Sequence, residues 1–246
     1  APSHSELELM ESQAVSRYFE KNKPDYVFLA AAKVGGILAN STYPADFIYQ
    51  NLMIQNNIIH QSYVHNIKKL LFLGSSCIYP KHCPQPMKEE YLMTGPLEPT
   101  NSPYAVAKIA GIEMCWSYNR QYGTKFIPVM PTNLYGPNDN FDLETGHLLP
   151  SIINKIYSAK KNDSKEVHIW GDGSVRREFM YAADLADFLF YCIKNFKTIP
   201  STLNVGIGRD YSVLDYYKAV AKSLSWKGEF VFDLSKPVGQ KRKMVS

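Results

Sequence analysis

Two short runs of this chain are almost continuously apolar and end in small residues: Asp25-Tyr-Val-Phe-Leu-Ala-Ala-Ala32 and Lys69-Leu-Leu-Phe-Leu-Gly74. A strand wetted on one face alternates apolar and polar residues, so runs of this kind predict strands buried on both faces, as in a parallel sheet. Parallel neighbours need a long crossover between them. From about Ala45 to Val64 the apolar residues Phe47, Ile48, Leu52, Ile54, Ile58 and Ile59 recur at helical spacings and supply it. A second helical stretch from about Ser102 to Tyr122 leads to a strand-like Thr124-Lys-Phe-Ile-Pro-Val-Met130. Strand, helix, strand, helix, strand predicts a doubly wound α/β sheet.

The pattern loosens from about Tyr135, where Pro137-Asn-Asp-Asn140 marks a loop. A helix over Leu148–Lys160, a strand at Val167–Trp170, a turn at Gly171-Asp-Gly173 and helices over Leu185–Phe196 and Val213–Leu224 follow, the last two flanking a strand-like Thr202–Val205. This division predicts a sheet domain over 1–134 and a smaller α/β domain over 135–246, with returns to the sheet near 180–208. A dinucleotide fold opens with a strand and a glycine-rich turn that receives the pyrophosphate. These residues contain no such turn: the early glycine pair, Gly35-Gly36, follows the wrong strand. Either the fold is not a nucleotide fold, or the chain starts after that element.

Composition excludes several classes. With 45% hydrophobic and 20% charged residues and a formal net charge of +4, the chain reads as globular, without a nucleic-acid-binding arm. The densest basic run, Lys241-Arg242-Lys243, is expected to be a solvated face or frayed end. Cys77, Cys83, Cys115 and Cys192 show no CxxC spacing, which argues against a zinc ribbon and for reduced thiols in a cytoplasmic protein. No apolar run is long enough to span a bilayer, and no signal peptide is apparent.

Tyr104 and Lys108, four apart, share a helix face. An ammonium beside a phenol is expected to lower the phenol's pKa and fit it for proton exchange with a carbonyl oxygen. A second pair with this spacing, Tyr157 and Lys161, reads as a solvated helix face. Ser75, at the end of the second buried strand, points toward the cleft where such sheets bind ligands, and can bond the same carbonyl. Cys77 lies beside that cleft, either as a small core residue or as a base. His147 opens a helix as either a surface cap or an acid–base group. Arg176, Arg177 and Lys155 are candidates for diphosphate contacts, and Trp170 could stack on a base or pack in the core. Cys115 and Cys192 read as core residues and Cys83 as a loop residue.

Together, Ala30-Ala-Ala-Lys-Val-Gly-Gly-Ile37, Gly74-Ser-Ser-Cys-Ile-Tyr-Pro80, Pro103-Tyr-Ala-Val-Ala-Lys108, Met130-Pro-Thr-Asn-Leu-Tyr-Gly-Pro137 and Arg177-Glu-Phe179 resemble the GDP-L-fucose synthases, of the extended short-chain dehydrogenase/reductase superfamily. The resemblance runs from about Ser5 to Lys236. It implies a Rossmann-type homodimer that uses NADPH to convert GDP-4-keto-6-deoxy-D-mannose, by epimerisation at C3 and C5 and reduction at C4. It implies a reductase triad of Ser75, Tyr104 and Lys108 and an epimerisation pair of Cys77 and His147. It places cofactor contacts on Leu73, Gly74, Ser75, Ser76, Tyr104, Lys108, Pro131, Thr132, Asn133, Leu134 and His147, and substrate contacts on Asn133, Lys155, Trp170 and Arg177, with no metal. The family's N-terminal glycine fingerprint, second strand and final C-terminal segment are expected to lie outside these residues. Nucleotide-sugar 4-epimerases and 4,6-dehydratases are the nearest rivals. Dehydratases would carry acidic residues where Ser76 and Cys77 stand, and a 4-epimerase would leave Cys77 and His147 idle.

Overall fold

A computed structural model describes residues 1–143, 145–236 and 239–246. The first half alternates helix and strand: α1 (Ser12–Asn22), β1 (Tyr26–Leu29), α2 (Ile37–Thr42), α3 (Pro44–Val64), β2 (Lys69–Leu73), α4 (Ser102–Tyr122) and β3 (Phe126–Pro131). There follow β4 (Asn133–Tyr135), α5 (Leu148–Lys161), β5 (Glu166–Trp170), β6 (Arg176–Arg177), β7 (Phe179–Tyr181) and α6 (Ala182–Lys194). The rest is β8 (Leu203–Val205), β9 (Tyr211–Ser212), α7 (Val213–Ser223), β10 (Glu229–Asp233) and β11 (Arg242–Lys243). Strands β1, β2, β3 and β8 form one parallel sheet in the order β1-β2-β3-β8, as the α/β reading requires. The sequence pattern did not single out α1, β10 or β11.

The two apolar runs have different fates. β2 lies between two neighbours, and Leu70, Leu71 and Phe72 are fully buried. β1 is shorter than its run and lies at the sheet edge, where Tyr26 and Phe28 are 43% and 44% exposed. Among the residues present, burial on both faces is met by β2 and not by β1. An edge strand among these residues has a neighbour on one side alone, and two of its aromatic side chains remain in contact with solvent.

Helices α3 and α4 pack against each other and against one face of the sheet. Pro103 fits the first turn of α4, where its missing N–H is no loss, and Gly123 closes the helix at φ +66° with its N–H on Asn119 O. Gly111 lets α4 approach closely: a Cβ there would stand 2.5 Å from Phe72 and 2.9 Å from Gln55. Gln55 in turn donates to Ala107 O at 2.6 Å, so a buried amide fixes the register of the two helices. On the other face α6 covers Leu71, Ile127 and Val129. Each fully buried side chain of this size contributes about 2 kcal/mol. A third core joins α5, α7 and β5, with Ile152, Ile156, Ile169 and Tyr217 at its centre.

The basic tail is not frayed, and although Lys241 is exposed, Lys243 is buried. β11 pairs parallel to β6, and Val245 N donates to the buried Glu178 carboxylate at 3.0 Å. Met87 N donates to Met244 O, and Ser246 N to Met87 O, both at 2.8 Å. Asp210 accepts from Arg176 and Arg242 together. These bonds stitch the segment to strands far away in sequence, which no local composition rule anticipates.

Candidate active site

All the residues that the resemblance assigns to catalysis, cofactor and substrate line a single cavity of about 610 Å³, at the C-terminal edge of β2 and β3. That edge is where open parallel sheets present their ligand clefts. Beyond β2, Ser75 is extended and caps one 3₁₀ turn, Ser76–Ile78, by accepting from Cys77 N–H at 3.2 Å. Ser75 thus caps the strand end with its own oxygen, and its hydroxyl also interacts with Tyr104 in the same cavity.

Tyr104 and Lys108 lie on one face of α4, with the Lys108 ammonium 5.8 Å from the Tyr104 ring centre. The ammonium donates to Leu73 O at 2.7 Å, and burial pushes its pKa down to about 8. The expected lowering of the phenol is not found. Burial raises the Tyr104 pKa, the nearby Cys77 raises it further, and the Ser75 contact offsets only part. The phenol is held protonated, ready to give a proton. The second pair, Tyr157 and Lys161, lies on exposed α5 surface, with Tyr157 55% exposed.

Cys77 is half-buried in the same cavity, whereas Cys115 and Cys192 are fully buried and Cys83 sits in a loop. Burial opposes ionisation of the Cys77 thiol, but the Lys243 ammonium, the Ser75 contact and the Arg177 guanidinium outweigh it and hold its pKa below the ordinary thiol value. Lys243 Nζ donates to Cys77 Sγ at 2.9 Å and is itself only 8% exposed. Sequence reasoning missed this residue. Nothing local separates the inward-facing lysine from Lys241 and Arg242; the alternation of Lys243 with the buried Val245 was its sole signal.

The opposite wall comes from the second half of the chain. His147 is the N-cap residue of α5, its pKa lowered by burial and by Lys243, against an opposing pull from Asp139. The loop that delivers it rests on the early glycine pair: Gly36 N donates to Thr145 O at 3.1 Å. Gly35-Gly36 is thus a seat for a loop rather than a phosphate turn. Lys155 donates to His168 O at 3.2 Å and lies 5.8 Å from the Trp170 ring centre, which Lys236 also approaches at 5.7 Å. Trp170 is 40% exposed, not a core residue. The Arg177 guanidinium is pushed down to about 10 by burial but stays charged at neutral pH. Its neighbour Arg176 faces away and is bound to Asp210, which removes it from the diphosphate candidates. Asn133 is anchored by donation to Glu178 O at 2.8 Å, and Thr132 by its N–H to Val205 O at 2.9 Å. Glu98 and Asn101, unflagged in the sequence, also line the cavity, and Asn101 Oδ1 is buried without a protein partner.

The cavity suits the nicotinamide half of a dinucleotide. Gly74, Lys108, held by its bond to Leu73 O, and Pro131–Leu134 line it together. The sequence signature of the NAD dependent epimerase/dehydratase family matches residues 3–206. The chain belongs to that family. Within the family, it is 50% identical to a GDP-L-fucose synthase of Sinorhizobium fredii over 240 residues, which is 98% of this chain and 76% of that protein. The corresponding figure for a GDP-L-fucose synthase of Escherichia coli is 48%, covering 99% of this chain and 78% of the relative. Among solved structures, MlghC, a GDP-mannoheptose C4 reductase from Campylobacter jejuni with NADP bound, superimposes with a TM-score of 0.90 at 42% identity, covering 99% of this chain and 80% of that one. Among the described residues no helix is long and apolar enough to cross a membrane, and no group of three His, Cys, Asp or Glu side chains could hold a metal.

Proposed function

We propose that this family member converts GDP-4-keto-6-deoxy-D-mannose to GDP-L-fucose, epimerising C3 and C5 and then reducing C4 with NADPH. The observation that carries the reading is the presence, in one cavity, of Ser75, Tyr104 and Lys108 together with a second acid–base pair, Cys77 and His147. A plain C4 reductase has no use for that second pair.

A ketone at C4 acidifies the hydrogens at C3 and C5. The Cys77 thiolate takes one such proton, the C–H electron pair passes into an enolate, and Ser75 and Tyr104 hydrogen-bond the C4 oxygen where charge develops. His147 returns a proton to the opposite face of the carbon. Cys77 then loses its acquired proton to solvent and His147 regains one, which resets the pair for the other centre. When bound, NADPH supplies the hydride that reduces C4. Tyr104 gives the C4 oxygen its proton, and Lys108 positions the cofactor ribose while holding the strand end through Leu73. Leu73–Ser76 and Pro131–Leu134 would hold the nicotinamide end of the cofactor. Lys155 and Arg177 meet the diphosphate, Trp170 stacks on the nucleotide, and Asn133 binds the sugar. In this reading residues 1–134 serve mainly the cofactor and 135–246 mainly the substrate.

The test is a single incubation of enzyme, 4-keto sugar and NADPH in deuterated water. The expected product carries deuterium at C3 and C5 for each NADPH oxidised. Reduction without deuterium at those carbons would leave a plain 4-keto reductase. We also infer a homodimer through α3 and α4, whose outer faces expose Tyr49, Val64, Val106 and Tyr122; a monomer by light scattering at micromolar concentration would remove it. We place the enzyme in the cytoplasm, where Cys77 stays reduced; its recovery in a membrane or secreted fraction would contradict this.

A further inference from the structure

We propose that Lys243 is a positioning residue for the epimerisation step, the cation that makes Cys77 a thiolate base. This rests on the reading of Cys77 as that base. A thiol this enclosed is a poor base unless a positive group stands beside it. Lys243 provides one at hydrogen-bond distance, 2.9 Å from Sγ. It is buried to 8% exposure, and among the described residues the Cys77 sulfur is its one hydrogen-bonding side-chain partner.

The chain invests heavily in holding that ammonium in place. Lys243 sits on β11 in register with Arg177 on β6. Its carbonyl accepts from Glu178 N at 3.3 Å, and two residues later Val245 N reaches the Glu178 carboxylate. Glu178 is completely buried, and its other oxygen accepts from Ile207 and Gly208 N–H, each at 2.7 Å. One carboxylate therefore locks β11 to the loop after β8. On the preceding residue, Arg242 is fixed by Asp210. The strand carries a lysine across the molecule to a cysteine 166 residues earlier in sequence.

The other charged and titratable groups around Cys77 do not duplicate this role. Arg177 on β6 lowers the Cys77 pKa less than Lys243 does and interacts with Glu98 as well. Tyr104 on α4 is neutral. His147 at the start of α5 is pushed toward its neutral form, in part by Lys243. Lys243 therefore favours the ionised sulfur from which the chemistry starts, while it works against the imidazolium of His147.

The experiment is the rate of Cys77 alkylation by iodoacetamide against pH in the whole enzyme without substrate, read at the Cys77 peptide by mass spectrometry. The wild-type midpoint should fall clearly below the ordinary thiol value of about 8.5. Lys243→Gln, which keeps a donor and removes the charge, should raise it by about one to three pH units, and Lys243→Arg should restore most of the shift. Solvent-deuterium exchange at C3 and C5 should drop about tenfold or more in Lys243→Gln at neutral pH and recover as the pH is raised. A wild-type midpoint at or above the ordinary value overturns the proposal without any variant. So does an unchanged midpoint in Lys243→Gln, which would leave Lys243 a packing or diphosphate residue. Failure of the underlying reading looks different: Cys77→Ser would then exchange both hydrogens at the wild-type rate, whatever the titration shows.

Discussion

The two walls of the cavity are built in different ways. On the sheet wall, Ser75, Cys77, Tyr104 and Lys108 come from two adjoining elements, β2 with its 3₁₀ turn and α4. Their placement follows from a buried strand, the 3₁₀ turn directly after it and a helix whose glycine admits close packing. On the far wall, Lys155 and His147 come from α5 and its N-cap, and Trp170, Arg177 and Lys243 from three separate strands, with long-range bonds such as Asp210 to Arg242 holding them in place. The sheet wall is fixed by local pattern and the far wall by long-range bonds. A site divided this way separates two tasks. In the proposed function the reducing triad sits on the sheet wall, and epimerisation draws on groups from both. Disturbing either wall should therefore affect the two half-reactions unequally.

The largest expected effect is on the sheet wall. Tyr104→Phe removes the acid that serves the C4 oxygen, so reduction should fall about a hundredfold to ten-thousandfold. Cys77 and His147 remain, so deuterium exchange at C3 and C5 should continue. Following NADPH loss and exchange in the same tube checks both, and undiminished NADPH oxidation would remove Tyr104 from its role.

Next in size is the pair that spans the walls. Cys77→Ser should cut exchange about a hundredfold, because a hydroxyl at that position is hardly ionised. His147→Gln should permit some exchange but impair inversion. Wild-type exchange should follow a bell-shaped pH profile. Its acid limb reflects loss of the thiolate, and its alkaline limb loss of the imidazolium, whose pKa burial holds below the ordinary histidine value. His147→Gln should abolish the alkaline fall. A persistent alkaline limb in that variant would mean that another group donates the proton.

How much of this was legible in the sequence follows the same divide. Helix α4 was read to its residue limits, and Ser75, Tyr104 and Lys108 were found from strand and helix grammar alone. Cys77, His147, Lys155 and Arg177 were candidates with bland alternatives beside them until the resemblance gave them roles, and all four line the cavity. What escaped depends on distance. Lys243 looks like any tail lysine until β11 is paired with β6. Arg176 looks like its neighbour Arg177 until Asp210 claims it. The phenol pKa was misjudged because the spacing of Tyr104 and Lys108 says nothing about burial, which dominates here, or about Leu73 O, which takes the ammonium's hydrogen bond.

A smaller effect should come from loosening the far wall at its anchor. Asp210 is 5% exposed at the side chain and accepts from Arg176 and Arg242, both partly exposed. Asp210→Asn should cost about 2 kcal/mol, near thirtyfold in the folding equilibrium. Burial disfavours the Asp210 carboxylate, but its bonds to Arg242 and Arg176 outweigh that and lower its pKa. A lowered carboxylate contributes stability that is present above the unfolded-state pKa of about 3.9 and lost as pH falls through the folded value. Wild type and variant should therefore differ in melting temperature at pH 7 and converge below about pH 4. A gap that persists in acid would show that the aspartate acts by shape and not by charge.

The smallest predicted effect is also the most selective. Gly36 has φ −67°, which any residue adopts, so an added methyl would cause no backbone strain there. The methyl would stand 2.8 Å from Gly146 O, and that carbonyl belongs to the residue just before His147. The Gly146 loop cannot give way freely, because it is held by Gly36 N on Thr145 O and by Gly146 N on Asp142 O at 3.0 Å. Gly36→Ala should therefore shift the loop by some tenths of an ångström and carry His147 with it, leaving β2, α4 and the Cys77–Lys243 contact in place. A displacement of 1 Å can cost about a hundredfold when geometry is tight, so about tenfold is expected for this smaller one. Epimerisation should lose that factor. Reduction should be nearly unchanged when the variant receives the already epimerised 4-ketone, which the Tyr104→Phe protein would prepare. Stopped-flow NADPH oxidation on that ketone, set beside deuterium exchange on the unepimerised one, measures the ratio directly. Equal losses in the two assays would mean that the walls move as one body and that their separate construction has no catalytic consequence.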